Sequence, residues 1–195
     1  LPNLARAVIK FLFEIIETAA LAILIFLVLY LFLVRPHQVR GDSMLPDFHD
    51  GEYLLTEMVS YNLLGRAPQR GEVIVFRSPE QPNLDFIKRI IALPNEKIKI
   101  QNGDIFIINP EHRSGFLLEE PYLSEETFTQ GRRTIAEGEI FSLGEEGYLV
   151  LGDNRERSSD SREWGEIANE AIIGRVWLRY WPPNVFSLFK RPDYK

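Results

Sequence analysis

A hydroxyl, an amine and a charged loop are the features of this 195-residue sequence best suited to chemistry. Ser43 lies in Gly41-Asp42-Ser43-Met44-Leu45-Pro46, a setting that suits an exposed turn. On that pattern alone it is either an ordinary turn serine or a nucleophile. Lys88 lies in Phe86-Ile87-Lys88-Arg89-Ile90-Ile91. Strand side chains alternate between faces, so Lys88 shares one with Phe86 and Ile90, and Arg89 shares the other with Ile87 and Ile91. One of the two charges is therefore expected to point inward or along a covered edge. The plain reading is a lysine that snorkels or protects a sheet edge. The chemical reading uses burial: an apolar surround disfavours the ammonium, lowers the pKa and leaves an amine able to take a proton from serine. Arginine stays charged and cannot do this, so Lys88 is the candidate base and Arg89 is not. The third feature runs from Gly152 to Arg162 (GDNRERSSDSR) and packs opposite charges and small hydroxyls into eleven residues. It is either a solvated loop or a hydrogen-bonded platform beside a site.

Other chemistries are thinly supported. The sequence has no cysteine, which excludes disulfides, thiolate catalysis and Cys-ligated zinc. His37, His49 and His112 are the only histidines; His49 is close to Ser43 in sequence, but nothing pairs it with an acid at a spacing suggestive of a Ser/His/Asp triad, and the small count argues against a His-rich metal site. No metal or cofactor is expected. A net charge of −6 without a long run of one sign argues against a nucleic-acid partner.

The elements that must position these residues divide the chain. Residues 15–34 are apolar apart from Glu17 and Thr18, lack Gly and Pro, and stop at Arg35-Pro36. About twenty such residues span a hydrocarbon core of about 30 Å, so this stretch is expected to be a transmembrane helix in a lipid bilayer, with residues 1–14 as a flank. The following RPHQVRG offers no small-x-small site of the kind that marks a cleaved signal sequence. Arg6 and Lys10 before the helix balance Arg35 and Arg40 after it, so charge does not orient it. The chain starts with Leu1 rather than Met, which leaves open whether residues precede it.

Residues 35–195 read as a β-rich domain. Expected strands are Glu72–Phe76, Phe86–Ala92, Lys97–Ile100, Asp104–Ile108, Glu139–Leu143, Tyr148–Leu151 and Ala171–Tyr180. Asn102-Gly103 between apolar runs signals a hairpin. The turn-rich, acidic stretch from about 97 to 148 reads as a small β-subdomain inserted into the main one.

Taken in order, the segments resemble the sequence boxes of type I signal peptidases, a Ser/Lys-dyad serine protease family also called leader peptidases. GDSMLP resembles the nucleophile box, RGEVIVFRSP (Arg70–Pro79) the strand box, DFIKRIIALP (Asp85–Pro94) the lysine box, and GDNRERSSDSREWG (Gly152–Gly165) the last box. Four boxes in order behind a membrane helix cover essentially the whole chain. The resemblance implies a mainly β catalytic domain in which Ser43 attacks the scissile carbonyl and neutral Lys88 is the general base. It implies that Ser158 hydrogen-bonds and orients the lysine and that Asp160 lies near it. Asp153 is expected to pair with Arg89, and Asp160 with Arg162, in structural roles. The Ser43 backbone N–H would hold the oxyanion, with Gly41 adding only its backbone, because some members carry a serine where this chain has Gly41. Glu156 and Arg157 replace residues that are often Asp or Asn. By position in the pattern, Val39, Met44, Val75, Phe86 and Ile87 are expected to line small pockets.

The implied substrates are secreted preproteins with small residues before the cut, of Ala-x-Ala type. The catalytic domain would then face the trans side of the membrane, at a plasma membrane or in a thylakoid-like lumen. The sequence does not address oligomeric state. Two alternatives remain at this level: a self-cleaving repressor-type Ser/Lys protease, and a tethered β-domain that binds exported chains without cutting them.

Overall fold

The computed structural model describes residues 2–192 and 194, with the backbone alone described for Pro2–Ala5, Leu29, Leu31 and Phe32. Helix α1 (Pro2–Phe32) has 31 residues. Its window Arg6–Val28, with mean hydropathy 2.4, is long and apolar enough to cross a membrane once, and none of that window is buried against the rest of the protein. Phe13, Ile16 and Phe26 project outward from it, an arrangement suited to lipid contact. The helix starts well before residue 15 and ends two residues short of Val34, where β1 (Val34–Gln38) begins. Pro36 fits inside β1 because β1 is an edge strand, where one row of backbone donors has no partner to lose.

Beyond α1 the architecture is mainly β. The remaining strands are β2 (Tyr53–Glu57), β3 (Val73–Arg77), β4 (Asp85–Ala92), β5 (Lys97–Gln101), β6 (Asp104–Ile108), β7 (Phe116–Leu117), β8 (Ile140–Ser142), β9 (Gly147–Leu151), β10 (Ile167–Ala168), β11 (Ile172–Trp181) and β12 (Ser187–Leu188). Two one-turn helices interrupt them, α2 (Val59–Asn62) and α3 (Ser161–Trp164). The larger sheet runs β1-β2-β11-β3-β4-β9-β10, with β12 added to β11, and its pairs are antiparallel. The smaller sheet runs β7-β6-β5-β8 and is built wholly from residues 97–142.

Alternating apolar residues assign the strand faces. Val39, Met44, Phe48, Leu54, Val73 and Val75 form one core, with Ile87 against it. Ile74, Phe76, Ile90, Tyr148 and Val150 form another, with Phe86 against it. The third joins Ile91, Leu149 and Leu151 of the larger sheet to Ile98, Ile100, Ile105 and Ile107 of the smaller. The insert is thus fixed to the back of β4 and β9 by apolar contact. Because β4 is central and covered on both sides, its buried run extends from Lys88 to Ala92. Both charges of the Lys88-Arg89 pair are therefore inside, at 5% and 3% exposure, where the alternation rule led us to expect one.

Candidate active site

The turn that carries Ser43 follows β1 and is pinned at both ends. At its start the Gly41 N–H donates to Asp50 Oδ1 at 2.7 Å. At its end Met44, 1% exposed, plugs into the core with Phe48. Opposite, β4 presents Lys88. Its Nζ lies 2.7 Å from Ser43 Oγ and donates to the carbonyl of Ile87 at 2.9 Å. The Phe86 ring centroid is 5.6 Å from the same nitrogen.

Burial lowers the Lys88 pKa from 10.5 to about 8, against the opposing pull of the Asp160 and Asp153 charges. Those two carboxylates would favour the ammonium, but each is tied to a guanidinium. Arg162, fully buried, holds Asp160 through Nε to Oδ1 and Nη2 to Oδ2, both 2.8 Å. Burial pushes the Asp160 carboxyl up, but Arg162 and the Gly152 N–H at 3.1 Å outweigh it and hold it below its ordinary value. Arg89 holds Asp153 through Nε to Oδ1 at 2.8 Å and Nη2 to Oδ2 at 2.6 Å. Here burial wins and pushes the Asp153 carboxyl up, while Arg89 opposes the rise.

The charged segment from Gly152 to Arg162 is thus a buried platform. Gly152 is where it touches the Ser43 turn. A Cβ added there would stand 2.4 Å from the Ser43 carbonyl oxygen and 2.2 Å from Ser158 Oγ, so only glycine admits this approach. The Asn154 N–H donates to the same Ser43 carbonyl at 3.1 Å, and Asn154 Nδ2 donates to the Asp42 carbonyl at 3.0 Å.

Three expected roles look different in this geometry. Ser158 is 2% exposed beside Ser43 and Lys88, but its Oγ makes no hydrogen bond to Lys88; the lysine is held by the Ile87 carbonyl of its own strand. The Gly41 N–H is occupied by Asp50, which removes it as an oxyanion donor, whereas the Ser43 N–H has no hydrogen-bond partner among the described residues. Val75, fully buried, lies in the core beneath the site and does not reach the cleft. The other four pocket candidates, Val39, Met44, Phe86 and Ile87, do line a cleft of about 320 Å³ that opens onto Ser43 and Lys88.

Several contributors escaped the sequence reading. Asp47 bonds Arg89 at 2.6 Å, and the Tyr122 ring stacks 3.9 Å from the Arg89 guanidinium. Arg155, 2% exposed, is bonded to Glu120 of the insert. Asp47 directly follows the Gly41–Pro46 segment, but nothing local marks Glu120 or Tyr122 as partners of the charged platform. Gln38, Arg40, Leu84, Asp85 and Ser159 complete the cleft wall.

Comparison with known proteins identifies the family. Residues 12–181 match the family described as signal peptidase, peptidase S26. Signal peptidase IB of Staphylococcus aureus (strain MRSA252) is 33% identical over 195 residues, covering 94% of this chain and 97% of the relative. A probable signal peptidase I-1 of Synechocystis is 33% identical over 183 residues, covering 90% of this chain and 85% of the relative. A solved signal peptidase I from Enterococcus faecalis V583 is 28% identical, with a TM-score of 0.45, and the match covers 56% of this chain and 97% of that one. The chain belongs to the signal peptidase family, peptidase S26, and is a serine endopeptidase.

Proposed function

We propose that this protein removes N-terminal signal peptides from preproteins by cutting after small residues of Ala-x-Ala type, with Ser43 as nucleophile and neutral Lys88 as general base. The observation that carries the reading is a single contact: a shielded amine, with its pKa lowered to about 8, 2.7 Å from a serine hydroxyl. An amine with a pKa near the working pH is neutral often enough to accept the hydroxyl proton and basic enough to hold it.

The steps follow from the positions of the groups. Ser43 Oγ attacks the carbonyl carbon as its proton passes to Lys88 Nζ. The carbonyl oxygen becomes an oxyanion facing the free Ser43 N–H; a donor of this kind is typically worth about 3–4 kcal/mol. When the tetrahedral centre collapses, the peptide C–N bond breaks, and Lys88 returns its proton to the leaving amine, which becomes the new N-terminus. Water then attacks the acyl-enzyme, its proton going to Lys88, and Ser43 is released with the proton restored. Ile87's carbonyl aims the amine throughout, because it occupies one donor position and leaves the lone pair directed at Ser43. Asp160 and Asp153 stabilise the transient ammonium, and their arginine partners stop them from fixing it permanently.

The lining of the cleft is what supports short apolar residues before the cut: beside Ser43 stand the apolar side chains of Met44, Phe86 and Ile87, which offer contact to a methyl-sized group. A single pass of α1 through a plasma membrane, with the catalytic domain on the extracytoplasmic side, would put this cleft where signal peptides emerge; a thylakoid lumen would satisfy the same requirement.

The test uses full-length protein in detergent with a preprotein substrate. Ser43→Ala and Lys88→Ala should each abolish cleavage while the far-ultraviolet circular dichroism stays that of the parent. Retained cleavage in either variant would remove the dyad.

A further inference from the structure

An endopeptidase must hold polypeptide on both sides of the scissile bond. The cleft already described lies at one end of the nucleophile turn, at Ser43 and Met44. A second groove, of about 490 Å³, opens at the other end of the same turn. Leu45 and Pro46 line it from the Ser43 turn, Leu123 and Phe128 from the segment joining β7 to β8, and Asn154 from the charged platform. Leu45 is two residues from Ser43, and an extended chain advances about 3.3 Å per residue, so a substrate strand reaches this groove within a few residues of the cut.

Phe128 is 56% exposed, yet its position is set by the fold. The ring rests on Gly103, which has φ +91°, and a Cβ there would stand 2.5 Å from the ring. The neighbouring Thr129 N–H donates to the Gly103 carbonyl at 3.1 Å. The Asn102-Gly103 hairpin therefore carries an aromatic ring whose remaining surface is open to the groove. Glu126 and Glu156 also line the groove and are exposed, and neither is ion-paired among the described residues. The other charges there, Asp153 and Arg155, are taken up by Arg89 and Glu120.

We propose that this groove binds the first residues of the mature chain, downstream of the cut, and selects among them: it favours an apolar side chain against Phe128 and disfavours acidic ones beside Glu126 and Glu156. The proposal rests on the peptidase reading of Ser43 and Lys88 and assigns the opposite side of the same bond.

The experiment uses the full-length protein in detergent and two substrates with one signal-side sequence. One continues six residues past the cut with a leucine among them; the other ends at the cut as a chromogenic anilide. Phe128→Ala should lower kcat/KM on the long peptide about three- to tenfold relative to the anilide, and Phe128→Leu should recover most of that ratio. Long peptides with glutamate downstream should be cut about two- to fivefold more slowly than those with glutamine, and Glu126→Gln/Glu156→Gln should erase the difference. An equal effect of Phe128→Ala on both substrates would make Phe128 a structural residue and overturn the proposal, as would a glutamate penalty that survives the double variant. If the parent protein cuts neither substrate, the peptidase reading itself falls and takes the groove with it.

Discussion

Methionine at position 88 keeps the length and apolar stem of lysine but carries no charge. In the folded protein Lys88 has its pKa lowered from 10.5 to about 8 by burial at 5% exposure. Unfolded, it returns to its ordinary value. The group is bound to a proton more weakly when folded, so between about pH 8 and about pH 10.5 the unfolded chain holds a proton that the folded one lacks, and stability rises with pH across that window. Below pH 8 the fold carries the full burden of a buried ammonium. At about 1.4 kcal/mol per pH unit, a fall from 10.5 to about 8 corresponds to roughly 3 kcal/mol at pH 7, of which less than about 1 kcal/mol remains at pH 10. Lys88→Met removes this term and also loses the bonds to Ser43 and Ile87, which do not depend on pH in the same way. The gap in unfolding free energy between Lys88→Met and the parent should therefore move by about 2 to 3 kcal/mol in favour of the parent from pH 7 to pH 10. Urea unfolding in detergent at both pH values measures it, and every other titrating group cancels in the difference. A gap that stays constant within about 0.5 kcal/mol would mean that Lys88 titrates alike in both states, and the argument for a neutral base would fail.

Other perturbations test neighbouring parts of the site. The kcat/KM of the parent should rise about tenfold from pH 7 to pH 9 as the fraction of neutral Lys88 grows around a pKa of about 8, and a flat profile over that range would contradict it. Gly152→Ala drives a methyl group into the Ser43 carbonyl and the Ser158 side chain; it should cost about 1–3 kcal/mol of stability and at least about 100-fold in kcat, read by urea unfolding and single-turnover cleavage. Arg162→Gln leaves the buried Asp160 charge unopposed; it should cost about 3–5 kcal/mol, and in the fraction that folds the midpoint of the pH–rate profile should move alkaline.

How much of this was legible depended on whether the cause was local. The apolar span of α1, the Asn102-Gly103 hairpin and the strands around Lys88 follow from patterns within a few residues, and the four boxes carried the family. Strand β1 was hidden because Val34–Gln38 reads as Arg, Pro, His and Gln, the composition of an edge that needs no apolar face. Strand β2 escaped because its five residues are closed by Glu57, whose burial is supported by the nearby Ser60 N–H and by Arg175 far along the chain. The same distance explains the site residues. The partners of Arg89 and Arg155 come from Asp47, Tyr122 and Glu120, and ion pairs across tens of residues leave no mark on spacing. The Ile87 carbonyl could not be foreseen as the lysine's anchor, because a backbone oxygen has no residue type. Val75 follows the alternation of β3, but that strand is buried on both faces there and contributes no residue to the cleft.

The order of strands in the larger sheet has a consequence for when the enzyme first becomes competent. The turn bearing Ser43 is attached to β1 and β2, the amine is on β4 beside β3, and the ribbon that stitches these pairs together, β11, is made only at residues 172–181. A nascent chain that has emerged no further than the insert holds both reactive groups on unjoined hairpins. On the proposed reading competence thus waits until β11 has been made, so a product interrupted before residue 172 would carry Ser43 and Lys88 and yet be unable to cut its neighbours.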